Sequence, residues 1–256
     1  MWFGTYDGLN RYDGYNFTVY RNIPKNTHSL NGNSIGALFE DREGTLWIGT
    51  NNGLNKYDRE NDSFINYPTK ASEGALSNKY ILSICDDYLG NLWIGTYGGL
   101  NVFNRQTQRF MHYNANLLNP DSLSNSNIFS VFEDNKRNIW IGTNGGLNLY
   151  NRSKNQFVKF SHHDNNPGSI SDNHVRGIVQ DAIGNIWAGT MDGLNKYDAG
   201  NRTFVTYKHD AKKPESISSN SVYSFAAAKD GSLWIGTEEG LNFLDIQQGR
   251  IYRLQQ

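Results

Sequence analysis

Apolar and polar positions along this chain alternate in short runs, and the runs recur. Within residues 33–67 an apolar segment carries Ile35, Leu38 and Phe39, and a second carries Leu46, Trp47 and Ile48. A third carries Leu54 and Tyr57, and a fourth carries Phe64 and Tyr67. Each run is four to eight residues long, rich in β-branched and aromatic types, and without helical periodicity. Each therefore predicts a β-strand. The predicted strands are A, Ser34–Asp41; B, Thr45–Thr50; C, Leu54–Tyr57; and D, Phe64–Tyr67. Glu43-Gly44 predicts a hairpin turn between A and B. Asn51-Asn52-Gly53 predicts the next turn, where Asn and Gly tolerate positive φ.

The same frame repeats. All six tryptophans fall in a W-[IFA]-G-T motif, at Trp2, Trp47, Trp93, Trp140, Trp187 and Trp234, spaced 45 to 47 residues apart. A fixed period in that range marks a repeat architecture. Strand C recurs as Leu-Asn pairs, from Leu9-Asn10 to Leu241-Asn242. Strand D recurs from Phe17 and Tyr20 onward and weakens to Ile251 and Leu254 in the last copy. Four antiparallel strands per period form the blade of a β-propeller. The expectation is an all-β chain, one β-propeller domain over residues 1–256. Its blade repeats lie at about 2–20, 33–67, 79–113, 126–160, 173–207 and 220–254. The first blade lacks its innermost strand, A. That predicts a fragment of a longer chain, or a six-bladed ring with one three-stranded blade. The tryptophans are assigned to packing between blades. A Trp burying roughly 200 Å² at about 25 cal/mol per Å² contributes roughly 5 kcal/mol as an upper bound.

Charge narrows the picture. The net charge is -1 with no basic cluster, which argues against nucleic acid and against a membrane-surface patch. No apolar run is long enough to span a bilayer. Met1 runs directly into the first motif, so no signal peptide is expected within this sequence. Cys85, the one cysteine, excludes an internal disulfide and predicts a buried thiol.

The pattern D-x-x-G-x-L-W-I-G-T-x-x-G-L-N-x-Y-D, followed by F-x-x-Y, is carried by Asp41–Thr50 and again from Asp87 to Trp93. It resembles the two-component regulator propeller repeat, over essentially the whole chain. The resemblance implies the extracytoplasmic, periplasmic sensor region of a bacterial hybrid two-component system. Such propellers are typically seven-bladed, often in tandem, ahead of a β-domain, a transmembrane helix and a histidine kinase. It also implies a response to oligosaccharides from polysaccharide breakdown and a homodimer in the full-length sensor. This sequence departs from the pattern in having six motifs. Arg137 replaces the turn glycine of the fourth copy, and Ala228 replaces the Asp of the sixth.

Function is expected where the copies differ, at the loops D-to-A and B-to-C. After each G-T the copies read Tyr6-Asp7, Asn51-Asn52, Tyr97-Gly98, Asn144-Gly145, Met191-Asp192 and Glu238-Glu239. Just inside strand A they read Ser34, Tyr80, Asn127, His174 and Ser221, and two residues later Gly36, Leu82, Phe129, Arg176 and Tyr223. The ligand-binding candidates are Tyr80, Tyr97, Asn127, Asn144, His174, Arg176, Tyr223 and Glu238. Tyrosines offer flat faces with a hydroxyl, Asn offers paired donors and acceptors, and Arg176 suits a carboxylate such as a uronic acid. The primary expectation is a non-catalytic module recognising a glycan-derived oligosaccharide. The alternatives are a polysaccharide lyase or glycosidase, and a protein-interaction or dimerisation platform. No catalytic residue and no cofactor is assigned. Glu238, Glu239, Asp192 and Asp7 have no fixed separation for glycoside chemistry. His162-His163-Asp164 lacks a third ligand at defined spacing, so no metal is assigned.

Overall fold

The structure, a computed structural model, describes residues 1–67, 69, 74–228 and 230–254. It is all-β, with six antiparallel sheets in which consecutive strands are neighbours. Blade 1 holds β1 (Trp2–Thr5), β2 (Gly8–Tyr12) and β3 (Phe17–Tyr20). Blade 2 holds β4 (Ile35–Glu40), β5 (Leu46–Thr50), β6 (Gly53–Asp58) and β7 (Ser63–Tyr67). Blade 3 holds β8 (Ile81–Asp86), β9 (Leu92–Thr96), β10 (Gly99–Asn104) and β11 (Arg109–Tyr113). Blade 4 holds β12 (Ile128–Glu133), β13 (Ile139–Thr143), β14 (Gly146–Asn151) and β15 (Gln156–Phe160). Blade 5 holds β16 (Val175–Gln180), β17 (Ile186–Thr190), β18 (Gly193–Asp198) and β19 (Thr203–Tyr207). Blade 6 holds β20 (Val222–Ala227), β21 (Leu233–Thr237), β22 (Gly240–Asp245) and β23 (Arg250–Leu254). The last strand is as long as β7, β11, β15 and β19 despite its weaker pattern, because Ile251 supplies the buried position that Phe64, Phe110, Phe157 and Phe204 fill there.

These strands belong to two compact units: residues 1–114 with 126–131, and residues 115–125 with 132–256. Within each unit the repeated residues have repeated tasks. Trp47, Trp93, Trp140 and Trp187 are buried and donate their indole N–H to Asp41, Asp87, Asp134 and Asp181 at 2.7 to 2.9 Å. Each aspartate also accepts main-chain N–H groups of its own A–B turn, so one carboxylate closes the hairpin and fixes the ring. Trp47 packs edge-on to Phe103 of the next blade and Trp140 to Tyr197 of the next. Trp2 and Trp234 are only half-buried. In blade 6 Ala228 has replaced the aspartate, which leaves Trp234 without that anchor.

The Asn of five Leu-Asn pairs is fixed through its side-chain oxygen, and in four of them the amide nitrogen is also bonded, Asn101 Nδ2 being without a partner among the described residues. Asn55, Asn101, Asn148, Asn195 and Asn242 are fully buried. Their side-chain oxygens accept the main-chain N–H of Asn31, Ser77, Ser124, Ser171 and Ser218, which pins each incoming loop. Burying an unpaired amide costs about 1–3 kcal/mol, so this position admits few alternatives. The motif glycine is a contact residue. A Cβ on Gly49 would lie 2.4 Å from Ile81 of the next blade, and one on Gly189 would lie 2.6 Å from Val222. In the B–C turns only the glycine has positive φ; Gly53 stands at 121° while Asn51 and Asn52 do not need it. Cys85 is half-buried, against the buried thiol expected, because it stands on the more open face of β8.

Candidate functional site

The variable positions stand on an invariant frame. The motif threonine closes each B–C turn. Thr50 Oγ1 accepts from Asn52 N at 3.0 Å and donates to the Gly53 carbonyl at 3.0 Å. The turn glycine then donates across to the next copy: Gly53 N to Lys79 O, Gly99 N to Ser126 O, Gly146 N to Asn173 O. The acceptors immediately precede Tyr80, Asn127 and His174. Each of these three residues therefore sits directly beside the preceding copy's B–C turn. They lie one residue before their strands and not inside them, since the strands begin at Ile81, Ile128 and Val175.

The second variable position sits on a β-bulge. The register slips between Ile35 and Ala37, Ile81 and Ser83, Val175 and Gly177, and Val222 and Ser224. The residues left over are Gly36, Leu82, Arg176 and Tyr223. A bulge frees one residue from the ladder and re-aims its side chain. This device was not legible from residue types, because the pattern of apolar positions runs through it unbroken.

In the first unit the frame encloses a cavity of about 720 Å³. Its walls include Tyr6, Ser34, Asn51, Leu82, Tyr80 and Tyr97. Blades 1, 2 and 3 thus contribute B–C turns and strand starts to one space. The Tyr80 and Tyr97 rings lie edge to face, with centroids 6.0 Å apart, and both remain about half exposed. Lys79 Nζ stands 5.1 Å from the Tyr80 ring. Among the described residues the lining holds no carboxylate, histidine or cysteine. Asn127, half-buried, does not line this cavity.

The remaining candidates stand on the second unit. Asn144 and Arg176 are half-buried, while Glu238 and Tyr223 are exposed. Glu238 N donates to Ser221 O at 3.0 Å, two residues before Tyr223. His174 faces Asp172, with Nδ1 3.2 Å and its main-chain N 2.7 Å from the same carboxylate oxygen. The His162-His163-Asp164 run has a loop-closing task. His162 Nδ1 is 2.8 Å from the Ile170 carbonyl, and His209 Nδ1 is 2.8 Å from the Ile217 carbonyl at the equivalent place. The Ile170 carbonyl first, and Asp164 after it, hold the His162 imidazole above its ordinary pKa. Among the described residues no group of three or more His, Cys, Asp and Glu side chains could hold a metal ion.

One polar cluster was missed by sequence reasoning. Asp62 accepts from Tyr20 at 2.7 Å and Tyr57 at 2.5 Å, and Arg11 lies 3.2 Å away. The hydrogen bonds from Tyr57 and Tyr20 hold the Asp62 carboxyl below the usual range, while burial pushes both phenols up.

Residues 29–52, 75–98, 122–145, 169–192 and 216–239 each match the two component regulator propeller family. The chain is built of two component regulator propeller repeats. Each matched segment runs from the loop pinned by the buried Asn through strand A to the B–C turn. Over its whole length the chain is 29% identical, at TM-score 0.81, to the extracellular domain of a protein of B. thetaiotaomicron described as a hybrid two component system, BT3049. A second such extracellular domain, BT4673 of B. thetaiotaomicron, is similar at 20% identity and TM-score 0.56 over 98% of the chain. The repeats span 33% and 39% of those two proteins. Virginiamycin B lyase of Staphylococcus aureus shares the fold at 11% identity and TM-score 0.69, with 98% of this chain and 78% of that one covered. Among curated proteins none matches the sequence.

Proposed function

We propose that these repeats form a non-catalytic sensing module of a two component signalling protein. The module lies outside the cytoplasm and takes a glycan-derived oligosaccharide against Tyr80 and Tyr97. The observation that carries this reading is the cavity of about 720 Å³ with two half-exposed tyrosines whose rings are inclined at 65° to each other. Its size is that of a small-molecule site. Two ring faces at an angle suit the apolar faces of successive sugar rings, and Ser34, Asn51 and the phenols supply hydrogen bonds. The similarity to extracellular domains of proteins described as hybrid two component systems supports the sensor role and the location. Signalling then requires only that ligand bind two arrangements of the full-length homodimer unequally.

The lining supports binding over turnover. A glycosidase needs two carboxyl groups flanking the bond, and among the described residues this cavity presents none.

Thermal-shift screening against neutral and acidic oligosaccharides tests the reading. A stabilising oligosaccharide is expected, with Tyr80→Ala and Tyr97→Ala each weakening its binding about tenfold, the scale of one lost aromatic contact. Arg176→Ala probes separately whether an acidic sugar engages the second unit. Cleavage of any oligosaccharide by the purified chain would favour the lyase or glycosidase alternative. Indifference to every glycan would favour the protein-interaction platform.

A further inference from the structure

The space over each motif tryptophan is closed differently in different blades. In blade 3 the residue twelve positions after Trp93 is Arg105. Its guanidinium lies 5.8 Å from the Trp47 ring of blade 2 and 3.0 Å from the Asp41 carboxylate, and it also reaches Glu43 at 3.4 Å. Arg105 is largely buried there, and Asp41 is wholly so. The Asp-Trp pair of one blade thus forms a seat for a guanidinium: a ring face on one side and a carboxylate at the end.

Blades 4 and 5 repeat the seat without its occupant. Asp134 and Trp140 are arranged as Asp41 and Trp47 are, with the indole bond at 2.9 Å. The residue twelve positions after Trp187, however, is Ala199, followed by Gly200. Where Arg105 stands in the first unit, the second has a cavity of about 700 Å³ whose walls include Asp134, Trp140, Tyr197, Ala199 and Gly200. Two cations of blade 5 lie against other rings. Arg202 lies 5.9 Å from the Phe160 ring, and Lys196 lies 5.6 Å from the Trp187 ring. Among the described residues Asp134 has no ion pair. Its four N–H donors, from Lys136, Asn138 and Trp140, satisfy its lone pairs but are neutral. Neutral donors leave the charge of a buried carboxylate uncompensated, and a cation placed over an indole face gains further attraction.

We infer that this cavity is a binding site for a guanidinium group supplied from outside the chain, seated on Trp140 and paired with Asp134. The volume exceeds that of a guanidinium alone and accommodates an arginine with its flanking main chain. Lys136, Lys196 and Asp198 also line the cavity. The site is independent of the oligosaccharide reading, lying on the other unit.

The test is titration of the full chain with N-acetyl-arginine N-methylamide, followed by the indole N–H resonance of Trp140 and by calorimetry. The citrulline analogue, neutral and nearly isosteric, serves as the control, and methylguanidinium as the bare headgroup. The arginine probe is expected to shift the Trp140 signal and to bind at least about tenfold more tightly than the citrulline probe, the scale of one charge-assisted contact. Ala199→Arg, which rebuilds the arrangement of blades 2 and 3, is expected to fold and to abolish binding. Tighter binding of the blocked arginine than of methylguanidinium points to a peptide source; equal binding points to a small guanidino compound. Equal affinity of the arginine and citrulline probes, no Trp140 shift with arginine, or undiminished binding by a folded Ala199→Arg variant overturns the inference.

Discussion

At the scale of single residues, the departures from the repeat have definite costs. Arg137 stands where other copies have glycine, and it adopts φ of 68°. The left-handed region disfavours a residue with a Cβ by roughly 1–2 kcal/mol, and Arg137 recovers part of that through its ion pair with Glu133 at 3.5 Å. Arg137→Gly is expected to raise stability by about 1 kcal/mol in urea denaturation; a loss of stability would show that the ion pair dominates. His162 offers a pH test. Its raised folded pKa means that its stabilisation is full below the ordinary imidazole value of about 6.5 and is lost as pH rises through the folded value. The His162 ring resonances should titrate above that ordinary value, and the protection of the 161–170 amides, relative to their intrinsic exchange rates, should fall on the alkaline side. At this scale the aspartates, tryptophans and paired asparagines were legible because each recurs with the period. Arg11 with Tyr20, Tyr57 and Asp62 was not, because the cluster occurs once and joins residues about fifty apart.

At the scale of elements, a strand's identity followed from its apolar pattern, and its bounds agreed within about a residue. Strand A of the second copy, read as Ser34–Asp41, is β4, Ile35–Glu40. The pattern does not report where main chains touch. Gly49 illustrates this: it looks like a turn preference but is required by Ile81 of the next blade. Gly49→Ala is expected to cost about 1–3 kcal/mol or more by overpacking. Gly200→Ala, where only Asp198 is near at 3.3 Å, should be close to neutral. Equal effects in equilibrium unfolding would contradict the contact role. The bulges beside Gly36, Leu82, Arg176 and Tyr223 belong to the same class. They arise from a mismatch between paired strands, which one strand's sequence does not display.

At the scale of the whole molecule, the period identified the architecture and the family, and the comparisons agree with both. The binding candidates were chosen because the copies differ there. That criterion selects positions without saying which of them meet. The structure gathers Tyr80 and Tyr97 in one cavity and adds Tyr6, Ser34 and Asn51 to them. Asn127 does not line that cavity, and the other five candidates stand on the second unit. The central claim is that the tyrosine pair is a carbohydrate seat. Calorimetric titration of the full chain, and of Tyr80→Ala, with the most stabilising oligosaccharide tests it most directly. Saturable one-to-one binding by the parent chain is expected, weakened about tenfold in the variant while its melting temperature without ligand is unchanged. Undiminished affinity in a folded Tyr80→Ala protein would contradict it.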